Sequence, residues 1–158
     1  MILLMAVGRV RGVLEPAVAE YEARVAHYWK FDVVEVDAGT GRGGRAEPAR
    51  VMAAEAERIL ARIPDGAELW ALTREGRPMD SSALARELGE RQLRAAPPLV
   101  LALGGAFGFD PAVLRRATRQ LSLSSMTLPH EMARLVLVEQ LYRAGTILRN
   151  EPYHKGDR

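Results

Sequence analysis

Three short stretches in the last third of this 158-residue chain carry residue types that can do chemistry. The first, Gly104-Gly105-Ala-Phe-Gly108, follows the apolar run Leu99 to Leu103. Adjacent glycines let a backbone approach a ligand closely and adopt positive φ. The spacing is GGxxG rather than the GxGxxG of a dinucleotide turn, and no acidic residue ends a following strand about twenty residues on. The second stretch, Leu121-Ser-Leu-Ser-Ser-Met-Thr-Leu128, mixes apolar side chains with hydroxyls and backbone donors and acceptors. That suits a neutral planar heterocycle such as adenine, held by main-chain bonds between apolar side chains. Read alone, a strand followed by a serine-rich turn is the plainer account. The third is the tail Asn150-Glu-Pro-Tyr-His154, where chain ends ordinarily fray. Tyr153 could stack on a base there, and His154 could hold or move a proton near neutral pH.

Composition removes whole classes of chemistry. The chain has no cysteine, so disulfides, thiolate zinc sites and cysteine nucleophiles are excluded. Its three histidines (His27, His130, His154) have no ligand spacing, which argues against a protein-built transition-metal site. No apolar run approaches the ~18 residues that span a bilayer. The opening MILLMAV lacks a preceding basic region and a cleavage site, so it reads as a strand rather than a signal peptide, and a cytoplasmic protein is expected. Arginine outnumbers lysine 20 to 2 and asparagine occurs once, a balance that fits a heat-adapted or GC-rich source. Net charge is only +2, but residues from Asp110 onward carry 8 basic and 5 acidic side chains against 14 and 15 before them. This points mildly to a polyanionic partner near the C-terminal third, with solvated helix faces as the plainer explanation.

The elements that must position these stretches are legible from periodicity. Apolar or alternating runs predict strands at 2–7, 31–36, 69–73, 99–103 and 121–123. Helices are predicted from Glu15-Pro16, from Glu47-Pro48 to about Arg62, from Asp80 or Ser81 through Leu88, after the cap Asp110-Pro111, and from Glu131 to Leu148. Val51, Ile59 and Leu60 form the inner side of the second helix. Residues 39–45, with Arg42 and Arg45, read as a basic loop able to meet phosphates, or as a plain connector. Alternation of strand and helix means an α/β protein with a mostly parallel sheet, a single domain over 1–158. Ligands bind such sheets beyond the carboxyl ends of the strands, which selects the loops after Thr73, Leu103 and Leu123. In the last helix Leu135-Val-Leu-Val138 is apolar all the way round and must be covered on every side. A symmetric homodimer through this helix is the expectation.

Taken together, four motifs in fixed order are specific: Leu103-Gly-Gly-x-x-Gly108, Leu121-Ser-Leu-Ser-x-Met-Thr-Leu-Pro-His130, Glu139-Gln-Leu-Tyr-Arg-Ala144 and Pro152-Tyr-His154. They resemble the pseudouridine N3-methyltransferases of the ribosomal large subunit, small members of the SPOUT, or trefoil-knotted, methyltransferases. The likeness covers the whole chain, including Ala6 to Gly8 and Leu72 to Gly76. It implies flanking helices on a parallel sheet and a C-terminal trefoil knot, a known exception to the rule against knots. It implies S-adenosylmethionine bound at Leu72, Thr73, Gly104, Gly105, Leu123, Ser124, Ser125, Met126, Thr127 and Leu128. The acceptor implied is a pseudouridine in a subunit-interface hairpin of 23S rRNA in the assembled ribosome. On this likeness, His154 and Tyr153 of the other protomer's tail position the base and assist its deprotonation. Arg143 stabilises developing negative charge or holds a phosphate, and Arg134 is a weaker candidate for phosphate contact. The family often has a basic residue, usually lysine, in the turn after Leu72; here the residues are Arg74-Glu-Gly-Arg77, and Arg77 keeps the charge but not the geometry of an ammonium.

Overall fold

A computed structural model describes residues 1–39 and 47–154, with the backbone alone at His154. Five strands form one sheet in the order β2-β1-β4-β3-β5: β1 (Ile2–Val7), β2 (Phe31–Val36), β3 (Glu68–Pro78), β4 (Leu99–Leu103) and β5 (Arg119–Ser122). Every neighbouring pair is parallel. The helices are α1 (Glu15–Val25), α2 (Pro48–Leu60), α3 (Ser81–Leu93), α4 (Pro111–Arg116) and α5 (His130–Leu148). Short 3-10 turns lie at Gly12–Leu14 and Pro152–His154.

The all-apolar runs Ile2 to Val7 and Leu99 to Leu103 become the inner strands because both their faces are covered. Alternation divides their side chains cleanly. Ile2, Leu4, Ala6, Leu99, Leu101 and Leu103 join a core with residues of α1, α3 and α5; Leu3, Met5, Val7, Val100 and Ala102 join a second core with α2 and α4. The carboxyl end of β4 therefore lies mid-sheet, between two helical layers.

Helix starts follow the capping chemistry read in the sequence. Asp80 accepts from the Ala83 amide at 2.7 Å, and Asp110 accepts from Ala112 at 2.8 Å with Pro111 in the first turn. Helix α5 ends in a Schellman turn: Glu151 N donates to Thr146 O at 2.9 Å, Asn150 N donates to Ile147 O at 3.0 Å, and Asn150 has φ 55°. Asn150, the one asparagine of the chain, is among the few residues besides glycine that tolerate this conformation.

Two expectations are corrected. Strand β3 does not stop at Thr73 but runs on to Pro78, so Arg74-Glu-Gly-Arg77 is strand rather than turn. Its register on β5 shifts between Leu72 and Arg77, so that both Leu72 and Arg77 pair with Leu121. Gly76 makes this possible, since a Cβ there would stand 2.7 Å from the Leu121 carbonyl carbon. Helix α3 likewise continues past Leu88 to Leu93. No described helix is long and apolar enough to cross a membrane.

Candidate functional site

Beyond the carboxyl ends of β4 and β5, and beside the middle of β3, the chain forms an open cleft of about 1150 Å³. The three loops selected by sequence supply its walls. Leu72 and Thr73 come from β3, Gly104 and Gly105 from the turn after β4, and Leu123, Ser124, Met126, Thr127 and Leu128 from the segment after β5. Ser125 is exposed and does not line the cleft.

The segment after β5 is shaped by its hydroxyls. Ser122 Oγ donates to the carbonyls of Arg74 and Ser124, both at 3.0 Å, and Ser124 Oγ accepts from the Met126 amide at 3.0 Å. These bonds turn the chain and leave Met126 75% exposed beside the cleft. Across the opening, Arg74 Nη1 donates to Thr127 Oγ1 at 3.2 Å, joining the β3 extension to this segment. Glu75 keeps its carboxyl below the ordinary range through its own backbone amide and Arg74.

The glycine turn is held on two sides. Gly108 N donates to Gly105 O at 3.1 Å, and Gly108 has φ 81°. A Cβ on Gly104 would lie 3.3 Å from the Gly108 backbone and the Phe109 ring. A Cβ on Gly105 would lie 2.6 Å from the Glu55 carboxylate. Glu55, 3% exposed, also accepts from the Gly39 amide at 2.9 Å. On the other side His130 Nδ1 donates to Gly104 O at 3.3 Å, a carbonyl being able only to accept. The other ring nitrogen, Nε2, is buried and has no partner among the described residues. Burial lowers the His130 pKa, and the Arg134 charge acts in the same direction.

Arg74, Glu75 and Phe109 fall in or beside the selected loops and His130 ends the second motif, yet none is named as a site residue from sequence; Glu55 is missed altogether. Glu55 carried a signal: Val51, Glu55 and Ile59 recur every four residues, so an acid occupies the buried stripe of α2.

The lining suits a planar heterocycle held by main-chain bonds between apolar walls. Leu72, Leu103, Leu123, Leu128 and Phe109 offer apolar walls, the glycine turn offers close main-chain approach, and Ser124 and Thr127 offer hydroxyls.

The tail residues lie elsewhere on the same chain. Tyr153 OH donates to Glu139 Oε1 at 3.1 Å and is 3.0 Å from Tyr21 OH; its ring meets Tyr142 edge-on at 4.6 Å between centroids. Arg143 stacks over Tyr153 at 5.1 Å and pairs with Glu139 at 2.8 Å. The last cleft residue on α5 is Ala133, so at 1.5 Å per residue this cluster sits roughly 9–15 Å further along the helix. The structure thus brings Tyr153 and Arg143 together, but not into the cleft of their own chain. The side chain of His154 and the loop with Arg42 and Arg45 lie outside the described residues.

Arg134 does not face a phosphate. Its side chain is 5% exposed and locked at 2.8 Å to both Glu22 and Glu35, with Arg9 pairing Glu35 at 3.3 Å.

Comparison with known proteins decides the family. A profile described as "Predicted SPOUT methyltransferase" matches residues 1–154. The chain belongs to the SPOUT methyltransferase family. Among its relatives is the ribosomal RNA large subunit methyltransferase H of Gemmatimonas aurantiaca, 49% identical over 98% of this chain and 99% of the relative. Proteins of the same name from Syntrophotalea carbinolica and Limosilactobacillus fermentum are 43% and 40% identical, over 97% and 98% of this chain and 97% and 99% of their own lengths. Within the SPOUT family the cleft is the candidate methyl-donor site.

Proposed function

We propose that this protein transfers a methyl group from S-adenosylmethionine to N3 of a pseudouridine in the subunit-interface hairpin of 23S rRNA, on the assembled ribosome. The observation that carries this reading is the cleft itself. The three segments selected as a ligand site converge at one cleft beside the middle of β3 and beyond the ends of β4 and β5, in a chain related to large-subunit rRNA methyltransferases. The ten donor-binding candidates from Leu72 to Leu128 form this site on the proposal, with Ser125 contributing through its backbone position rather than as a wall. The chain acts as one domain, in the cytoplasm, with its C-terminal segment threaded as a trefoil knot.

The bound donor supplies an electrophilic methyl on a sulfonium, and the residues supply orientation and proton removal. The N3–CH3 bond forms as the S–CH3 bond breaks, and the N3 proton must leave. Imide N3–H is protonated at pH 7, so a nearby group must take that proton or stabilise the anion. Tyr153 does not suit the acceptor role, because burial, the Tyr21 hydroxyl and Glu139 push its phenol pKa upward. A neutral phenol donates a hydrogen bond and stacks on a base. His154 is then the proton acceptor, and Arg143 the cation facing the developing charge.

These groups reach a cleft only if the tail of one protomer serves the other, because Tyr153 docks along α5 away from its own cleft. A homodimer through α5 provides this. Met132 and Leu148 are 37% and 44% exposed on the helix, although Leu137, Val138, Leu141 and Ala144 are already buried within one chain.

The test is transfer of labelled methyl to assembled ribosomes whose target pseudouridine lacks the methyl, with the product nucleoside identified by mass. Methyl-pseudouridine in the interface hairpin is the expected product. Tight donor binding without transfer would move the substrate to another RNA. Removing residues 153–158 should abolish transfer and spare donor binding; loss of donor binding instead would make the tail structural.

A further inference from the structure

The turn that ends the central strand is gripped from both helical layers. Helix α2, on one face of the sheet, sets the Glu55 carboxylate against Gly105, where a Cβ would stand 2.6 Å from Oε2. Helix α5, on the other face, brings the His130 Nδ1–H to the Gly104 carbonyl at 3.3 Å. Neither helix is a neighbour of this turn in sequence. Neither side chain has an evident packing purpose: one is an acid in an apolar stripe, the other an imidazole with a buried, unpartnered nitrogen.

We propose that Glu55 and His130 are positioning residues that clamp the Gly104–Gly105 turn from opposite faces of the sheet, holding its backbone in the orientation that binds the methyl donor. This rests on reading the cleft as a donor site. Each residue acts through the turn and touches no reacting atom. Glu55 also holds Gly39 by its amide, so one carboxylate ties the chain after β2 to the turn after β4.

The His130 half of the clamp requires a neutral ring. The bond to Gly104 O puts the one proton on Nδ1. A second proton on Nε2 would be buried with no acceptor among the described residues. The charged groups acting on the ring are Glu131 and Arg134 of its own helix and Glu35 of β2; Arg134 opposes protonation while the two acids favour it. Arg134 is itself balanced by Glu22 and Glu35, which leaves burial as the leading influence. Acid should therefore loosen the turn, and only below the ordinary histidine range, because burial holds the ring's pKa down.

Two readouts on the full-length protein test the clamp. One is the dissociation constant of S-adenosylmethionine from pH 5.5 to 8.5; the other is hydrogen exchange of the Gly108 amide, which the Gly105 carbonyl protects within the turn. His130→Ala, through loss of its bond to Gly104 O, and Glu55→Ala, through loss of the packing against Gly105 and the tie to Gly39, should each weaken donor binding about tenfold and speed Gly108 exchange by a similar factor. His130→Asn keeps an N–H in place of Nδ1–H but cannot titrate, so it should restore affinity and remove the acid weakening. Glu55→Gln should restore Gly39 contact and most of the affinity. Should the alanine variants not fold, the asparagine variant decides through its pH profile: an acid limb that persists in His130→Asn overturns the proposal. So do folded alanine variants with wild-type affinity and unchanged Gly108 exchange. A wild-type protein whose Gly108 protection depends on His130 and Glu55, yet which binds no S-adenosylmethionine, would support the clamp and overturn the donor reading of the cleft.

Discussion

Tyr153 donates its phenol hydrogen to Glu139 Oε1 at 3.1 Å, so the residue that follows α5 returns to a point midway along the same helix. The reversal is made by Asn150, whose left-handed conformation closes the Schellman turn and redirects the backbone. Tail geometry and helix termination are one event. The same Glu139 oxygen receives Arg143 at 2.8 Å, which makes a compact acid, phenol and guanidinium unit out of residues otherwise free to spread into solvent.

Asn150→Val should therefore uncouple the tail. A β-branched residue in the left-handed region costs about 1–3 kcal/mol, whereas Asn150→Gly should be neutral. In a chain of this size each kcal/mol lowers Tm by about 2–4 °C. Differential scanning calorimetry would read that shift, and the valine variant should also lose methyl transfer while still binding donor.

Gly145→Ala should destabilise the protein, against the usual helix preference for alanine. A Cβ at this position would stand 2.4 Å from the Tyr28 ring, which lies in the turn after α1 and packs on α5. Overpacking of a filled site costs about 1–3 kcal/mol and exceeds the roughly 1 kcal/mol of helix propensity gained. Urea unfolding would show a lower midpoint at unchanged slope.

Arg134→Ala should be among the most damaging single changes. Removing the guanidinium leaves Glu22 without its buried partner and Glu35 with Arg9 alone; because both acids reach solvent, the loss is about 1–3 kcal/mol. Because the side chain is enclosed, the salt dependence of RNA binding should not change in Arg134→Lys, provided the variant folds.

Tyr28 gives the protein an alkaline limb. Its hydroxyl donates to the Glu151 carboxylate, and this bond with partial burial pushes its pKa from 10.0 up to about 12. Between those values the unfolded chain releases the phenol proton and the folded chain keeps it, so stability falls as pH rises from about 10 to about 12. Thermal melts across that range should show the decline in the wild type and a shallower one in Tyr28→Phe.

The extent to which the site was readable follows from how far apart its determinants lie. Gly104, Gly105 and the 123–128 segment each follow a strand, and Leu72 and Thr73 stand where β3 passes the end of β4, so the rule for parallel sheets brought them to one edge without coordinates. Ser125 escaped because a bend, not a strand, sets its direction. Arg134 was misjudged because its partners, Glu22 and Glu35, are 112 and 99 residues away. On a sequence it is one basic residue on a helix, and nothing local distinguishes a buried pair from a solvated face. The extension of β3 to Pro78 was hidden for a similar reason, since β5 alone pairs with it and Gly76 alone permits the approach.

By itself, then, the sequence determined the alternating layers, the helix caps and the strand ends that carry a ligand site, because periodicity and capping act within a few residues. Only the tertiary structure decided which charges are buried, that Glu55 and His130 meet the same glycine turn from opposite faces, and that the tail lies along α5 rather than over its own cleft. Those outcomes depend on contacts between segments up to 132 residues apart, as with Tyr21 and Tyr153, and chain packing alone brings such residues together.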